Sequence, residues 1–271
     1  MELQLIRNAT LRLRYGGLTL LVDPMLARTA ALGPLPEYIG AVHMREAGHA
    51  QGFPLTPLPV TVAAVVADLD GLLLTHAHED HWDAAARASL PRALPVFCQP
   101  GDAATLEAQG FLHVVPVAHG LRHRGVEIER TGGRHGHGDI ESIMGGVSGF
   151  VLRAEGEPTL YIAGDTVHCD EVDQALDRHQ PDVIVVNAGA AQFAQGPAVT
   201  MTEQDVLEVA RRAPRSRIVA VHFEALPWAR LTRPGMRQVL AQHGLGERVA
   251  VPDDGQWLRY AGQAVVPAVS R

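Results

Sequence analysis

Three histidines and an aspartate fall within six consecutive positions, His76-Ala-His78-Glu-Asp80-His81. The apolar run Leu72-Leu73-Leu74 lies just before them. Imidazole nitrogens and carboxylate oxygens together are donors for divalent transition metals. A strand continuing into this segment would point His76 and His78 to one side, because side chains two apart share a face. If the chain then turns into the helix suggested by Asp83-Ala-Ala-Ala-Arg87, Asp80 and His81 stand at its N-terminal end beside the first pair. Four donors in that arrangement suit two closely spaced cations better than a cluster of solvated loop histidines.

A two-cation site needs donors from elsewhere, and the chain offers them wherever a strand should end. Gly125 to Thr131 alternates apolar and charged residues, the pattern of a half-buried strand. It runs into Gly132-Gly133-Arg134-His135-Gly136-His137-Gly138, where glycines let backbone approach an ion closely. The apolar stretch Thr159–Ala163 is followed by Gly164-Asp165-Thr166, and a carboxylate at a glycine turn is suited to bridge two metals. Arg217–Val221 reads as a buried strand delivering His222. Strand, then turn, then donor is the recurring order, and it gathers the site at one edge of a sheet.

The motif H-x-H-x-D-H, a later His after a strand, Gly-Asp-Thr and a final His after another strand together resemble the metallo-β-lactamase superfamily. The resemblance runs from Leu3 to about Tyr260 and includes the apolar hairpin around Tyr15-Gly16-Gly17-Leu18 that closes with Leu21-Val22-Asp23-Pro24. Within the superfamily the chain looks most like the branch containing ascorbate-phosphate lactonase and related metal-dependent hydrolases. The resemblance implies His76, His78 and one glycine-flanked histidine on a first metal. It implies Asp80, His81 and His222 on a second, with Asp165 bridging. The family pattern favours His135 over His137 for the first metal. The chain departs from the lactonase branch at Asn187-Ala-Gly189 and at His222-Phe-Glu224, close to the inferred substrate side.

The implied activity is hydrolysis of an ester, lactone or similar carbonyl in a small-molecule substrate by a metal-activated hydroxide. The two cations would bring the pKa of bound water from 15.7 to about 7 and polarise the electrophile. Asp80 and Asp165 are the expected catalytic carboxylates, Asp80 as proton relay. His137, His168, Asn187 and Glu224 are candidate substrate contacts. The nitrogen and oxygen donor set permits zinc, manganese or iron, with zinc the default. Two rival readings use the same donors. One is a phosphodiesterase, with Arg134 as its cation for phosphate. The other is a non-catalytic metal-binding protein, which would lack an open coordination position.

The elements that must position these residues alternate along the chain. Helices are expected at 101–110, 168–179, 201–213 and 234–243. Thr200 with Glu203 has the signature of a capping box for the third, and Pro214 follows its end. The nearly all-apolar segment 182–187 should be a strand buried on both faces. Sheets covered by helices fit an α/β four-layer αββα sandwich, which the resemblance also implies. Because the donors span positions 76 to 222 and must converge, residues 1–271 are expected to form a single domain. One segment breaks the pattern: residues 24–59 hold ten Gly and Pro together, with His43 and His49. A loop of that length is expected to serve as a lid over the metals or as a contact between copies in a homo-oligomer.

Composition narrows the partners. A net charge of −7 and the lack of a Lys/Arg-rich run argue against nucleic acid. Two cysteines, Cys98 and Cys169, are too few for a disulfide framework and fit a reducing cytoplasm. No apolar run reaches membrane-spanning length, and the N-terminus lacks the pattern of a signal peptide.

Overall fold

The computed structural model describes residues 1–33, 52–193 and 196–261. A first sheet takes β1 (Glu2–Arg7), β2 (Thr10–Tyr15), β3 (Leu18–Val22), β4 (Gly71–Leu74), β5 (Val96–Cys98) and β6 (Val114–Pro116). A second takes β7 (Gly120–His123), β8 (Val126–Thr131), β9 (Gly149–Arg153), β10 (Leu160–Ile162), β11 (Val183–Asn187), β12 (Arg217–Val221) and β13 (Val249–Ala250). The chain then returns to the first sheet, where β14 (Trp257–Arg259) pairs antiparallel with β1. The spatial orders are β14-β1-β2-β3-β4-β5-β6 and β13-β12-β11-β10-β9-β8-β7. Each sheet is antiparallel at one end and parallel at the other, the parallel strands being those with helical crossovers.

Alternation along the strands separates three cores. Leu73, Val126, Ile128, Phe150, Val185 and Val219 pack between the two sheets. The other faces of β4 and β5 (Leu72, Leu74, Val96) pack under α1 (Val62–Val65), α2 (Ala84–Ser89) and α3 (Ala103–Ala108). After α4 (Asp139–Met144) come α5 (Asp170–His179), α6 (Glu203–Arg212) and α7 (Arg233–Gln242), which cover the outer face of the second sheet over Ile184, Val186 and Ile218. The result is the αββα sandwich expected from the sequence. In β11 all five residues are buried, odd positions between the sheets and even ones under the helices. Helix layers on both sides of a parallel strand require that apolar run.

Element ends differ from expectation by a few residues. The stretch 101–110 begins as a 3-10 turn, Pro100–Asp102, before α3. The third expected helix, α6, starts at Glu203 and is capped by Thr202 with Asp205, not by Thr200 with Glu203. Thr202 Oγ1 accepts from the Asp205 amide and Asp205 Oδ2 accepts from the Thr202 amide. The Thr200 hydroxyl instead accepts from the Ala191 amide at 2.8 Å, which holds it in the preceding loop. The β2–β3 hairpin turns at Gly16-Gly17, both at positive φ, as a two-residue loop between right-twisted strands requires.

Within the Gly/Pro-rich loop, residues 34–51, with His43 and His49, lie outside the described residues. The arms on either side are fastened to one buried cation. The Arg7 guanidinium donates to the carbonyls of Met25, Ala27 and Thr56 at 2.7–2.9 Å. Phe53 on the second arm meets Trp228 edge-on, ring centroids 5.0 Å apart.

Candidate metal centre

Four strand ends converge at one edge of the sandwich. The strand β4 stops at Leu74, short of the histidines, so His76 and His78 sit on the loop beyond it. Their rings meet nonetheless, with His76 Nε2 2.9 Å from His78 Nδ1. The loop closes on itself as His81 and Trp82 donate their amides to the His78 carbonyl, and Asp83 then caps α2 through the Ala86 amide. From the second sheet come His135 after β8, Asp165 after β10 and His222 after β12.

These seven side chains form two groups. His76, His78 and His135 offer donor atoms within 4.8 Å of one another, as do Asp80, His81, Asp165 and His222. His81 Nε2 lies 3.2 Å from Asp165 Oδ2 and 3.4 Å from Asp80 Oδ2, and His222 Nε2 lies 3.3 Å from Asp80 Oδ2. Donors about 2.0 Å from a tetrahedral ion stand roughly 3.3 Å apart, so these spacings fit a cation-binding set. Asp165 lies between the groups, its Oδ2 also 3.5 Å from His135 Nε2. His81 Nε2 is buried without a hydrogen-bond partner, as a nitrogen reserved for a metal would be.

Three of the five imidazoles are turned by what their other nitrogen meets. Asp23 Oδ2 receives His81 Nδ1 at 2.9 Å and the Thr75 hydroxyl at 2.6 Å, leaving His81 Nε2 to face inward. His135 Nδ1 donates to the Val199 carbonyl at 2.8 Å, and His76 Nδ1 meets Thr75 Oγ1 at 3.1 Å. Such outer partners fix tautomer and ring orientation in metal sites. Asn187 Nδ2 donates to Asp165 Oδ1 at 2.6 Å, and Asn8 Nδ2 to the Asp80 carbonyl at 3.1 Å. Asn8, Asp23 and His222 all have positive φ, the left-handed region that few non-glycine residues adopt outside tight turns and functional sites.

Electrostatics divides the two groups. Burial holds the His76 imidazole well below the ordinary histidine range, with His81 and His78 adding to the effect. Burial also pushes His135 down to about 4. Burial alone would lower His81 as well, but Asp165, Asp80 and Asp23 outweigh it and hold the ring well above its usual value. Burial opposes ionisation of Asp80 and Asp165 too; for Asp80 the nearby His81 and His222 win, for Asp165 the same two in reverse order, and both carboxyls lie well below the carboxylate range. His76 and His135 are therefore neutral at pH 7, while His81 is paired with the ionised Asp80 and Asp165.

Other expected contacts lie elsewhere. His137 is exposed and outside both groups. His168 is held by Asp173, Nε2 to Oδ1 3.0 Å, at the start of α5. Glu224 accepts from the Arg233 amide at 2.7 Å and pairs with its guanidinium, which turns it away from the centre. Asn187 is at the centre, where its amide nitrogen holds Asp165. Arg134, the cation suggested for phosphate, is paired with Glu171 at 3.0 Å. Sequence reasoning missed Asp23, Thr75 and Asn8. Asp23 carried the same signal as the donors, a polar residue directly after a buried strand. A cleft of about 570 Å³ opens on His76 and His78, with Gln99, Asp102, Arg130 and Met144 among its walls.

The model of the beta-lactamase superfamily domain matches residues 19–223, which span every donor. The chain belongs to the beta-lactamase superfamily. It is 33% identical over 258 residues to the UPF0173 protein YddR of Bacillus subtilis, covering 94% of this chain and 98% of that protein. A UPF0173 metal-dependent hydrolase of Azorhizobium caulinodans is 27% identical, again covering 94% and 98%. Among solved structures, isothiocyanate hydrolase from Delia radicum gut bacteria superposes with a TM-score of 0.89 at 32% identity, covering 97% of this chain and 100% of that one. A possible metal-dependent hydrolase from Veillonella parvula gives the same TM-score at 30% identity, covering 95% and 98%. This superfamily member is thus an enzyme among metal-dependent hydrolases. None of these relatives is named a lactonase. Among the described residues, no helix is long and apolar enough to cross a membrane.

Proposed function

We propose that the chain is a hydrolase in which His76, His78 and His135 hold one divalent cation, Asp80, His81 and His222 hold a second, and Asp165 bridges them. The observation that carries this reading is the pair of donor groups sharing Asp165 as their nearest common carboxylate. Bound cations of this kind supply Lewis-acid chemistry, lowering the pKa of water toward about 7 and polarising the electrophile. The chain's own residues do the rest. Asn187 keeps one Asp165 oxygen fixed, Asp23 keeps His81 turned inward, and Asp80, the most exposed of the four in its group, relays the proton lost by the attacking water to the leaving group. No Ser-His or Cys-His nucleophile is needed, and both cysteines are buried and unbridged, which fits a reducing cytoplasm.

The substrate class is a small molecule with an electrophilic carbon of the ester, lactone or related carbonyl type. The relative that hydrolyses isothiocyanates makes the isothiocyanate carbon the first to try. A phosphodiesterase is less well supported, since Arg134 is engaged by Glu171. All-nitrogen and oxygen donors accept zinc, manganese or iron.

The test is elemental analysis of the purified chain beside Asp165→Ala and His76→Ala, with turnover of phenyl isothiocyanate and phenyl acetate. The expected result is about two metal equivalents in the parent protein and loss of metal and turnover together in both variants. Full activity in Asp165→Ala would remove the bridging role, and a chain that binds no zinc, manganese or iron would remove the reading altogether.

A further inference from the structure

Along β8 the side chains of Val126 and Ile128 point into the core between the sheets. The next position on that face, two residues on, is Arg130, paired across the ladder with the core residue Phe150. Arg130 is only half-buried, so its guanidinium reaches the open edge of the sheets instead of the apolar core. It lies where the sandwich opens, on the wall of the cleft that holds His76 and His78. Its hydrogen bonds are few and long: Nε and Nη2 donate to the Ala118 carbonyl at 3.3 and 3.1 Å, and Nη1 to Ser148 Oγ at 3.3 Å. Of its five N–H donors two remain without a protein acceptor. Among the described residues no carboxylate pairs with it, in contrast to Arg134 and Arg233.

The cleft does contain a carboxylate, Asp102, but a fixed string of polar groups separates it from Arg130. Ser148 Oγ donates to Gln99 Oε1 at 2.9 Å, and Gln99 Nε2 donates to Asp102 Oδ2 at 3.0 Å and to the Gly146 carbonyl at 2.8 Å. Gln99 and Ser148 are thereby spent within the protein. Arg130 is the charged group of this wall still able to take an acceptor from a ligand.

We infer that Arg130 is a specificity-determining residue that binds a carboxylate carried by the substrate, on the far side of the cleft from the reacting carbon. The inference rests on reading the neighbouring donors as a hydrolytic centre. A planar guanidinium fork matches a carboxylate in shape and charge. A phosphodiester is a different case: its anion is the reacting group and would sit at the donors themselves, leaving Arg130 unused. The substrates favoured are therefore small acids bearing an ester-like or isothiocyanate carbon a few bonds from the carboxylate.

The experiment compares two matched pairs on the metal-loaded chain: 4-isothiocyanatobenzoate with phenyl isothiocyanate, and 4-acetoxybenzoate with phenyl acetate. Binding of benzoate, with benzyl alcohol as the uncharged control, is followed by calorimetry on the same samples. The acid of each pair is expected to have the higher kcat/KM. In Arg130→Gln that preference should fall by roughly 10- to 100-fold, chiefly through KM, the scale of one charge-assisted hydrogen bond. Arg130→Lys, which keeps the charge and guards against a folding defect, should retain part of it. Equal kcat/KM within both pairs would overturn the inference, as would benzoate binding that is unchanged in Arg130→Gln, since the cations alone would then be capturing the carboxylate. If none of the four compounds is turned over, the hydrolase reading fails for these substrates, and the loss or persistence of benzoate binding in Arg130→Gln still decides the role of Arg130.

Discussion

Asp23 offers no atom to either donor group, yet its two oxygens take the Thr75 amide, the Thr75 hydroxyl and His81 Nδ1. A single carboxylate thus orients one imidazole and pins the loop that carries two others. Asp23→Asn keeps the shape and removes the charge; cation affinity should fall about 10- to 100-fold with far-UV circular dichroism unchanged, read by competition with a chelator. The opposite pKa directions of His76 and His135 on one side and His81 on the other make a second prediction. His76 and His135 are held low and neutral, so neither has a proton to give up when a cation binds. His81 is held high by Asp165, Asp80 and Asp23 against its burial, so in the metal-free protein it is protonated at pH 7 and must give up that proton. Binding at the second group should release about one proton near neutrality and tighten as pH rises toward the raised His81 value, where the gain ends. Calorimetry in two buffers of different ionisation enthalpy counts that proton, and a count near zero for both cations would contradict the assignment.

At the scale of elements, the donors follow the ends of β4, β8, β10 and β12, and the turns after β10 and β12 place Gly164 and His222 at positive φ. Gly189, just beyond β11, shows how close the exits run: a Cβ there would lie 2.1 Å from the His222 carbonyl oxygen. Gly189→Ala must push the exits of β11 and β12 apart. Its expected cost is about 1–3 kcal/mol, with loss of the second metal equivalent, read by thermal denaturation and elemental analysis. Gly246→Ala, where a Cβ meets open space, is the control and should change neither. The strands that lead to donors were legible in the sequence because an apolar or alternating run ends in glycine or a donor, whereas short strands such as β5, β6 and β13 and the order of strands within the sheets were not. The α6 cap was legible only as a pattern. Thr200 with Glu203 and Thr202 with Asp205 both satisfy the spacing, and the choice fell to Thr202 because the Ala191 amide occupies Thr200.

At the scale of the whole molecule, both groups straddle the two sheets. The first takes His76 and His78 from the exit of β4 and His135 from that of β8; the second takes Asp80 and His81 from one sheet and Asp165 and His222 from the other. Bound cations would therefore clasp the halves of the sandwich at one edge, while β14 on β1 returns the chain to the first sheet at the other end of the sequence. Stripping the metal should lower the thermal midpoint by about 5–10 °C for cations at some hundredfold their Kd, and Asp165→Ala should show no further drop on chelation. A midpoint indifferent to chelator would mean that the cations do not join the sheets.

The sequence by itself determined the kinds of donor, their order and the strand-turn rhythm that brings them to one edge, because each is a local property of composition and spacing. Only the tertiary structure decided between chemically equivalent neighbours. His135 entered the first group while His137, two residues on, stayed in solvent; Asn187 turned to Asp165, and Glu224 to Arg233. Arg134 was taken by Glu171 and left Arg130 to face the cleft. The physical reason is that a polar side chain's role is set by the partner it meets, and here the partners are remote. Asp23 lies 58 residues from His81, and Asp80 lies 142 from His222. Local pattern carries no information about which of two like residues will meet such a partner; packing of the two sheets does.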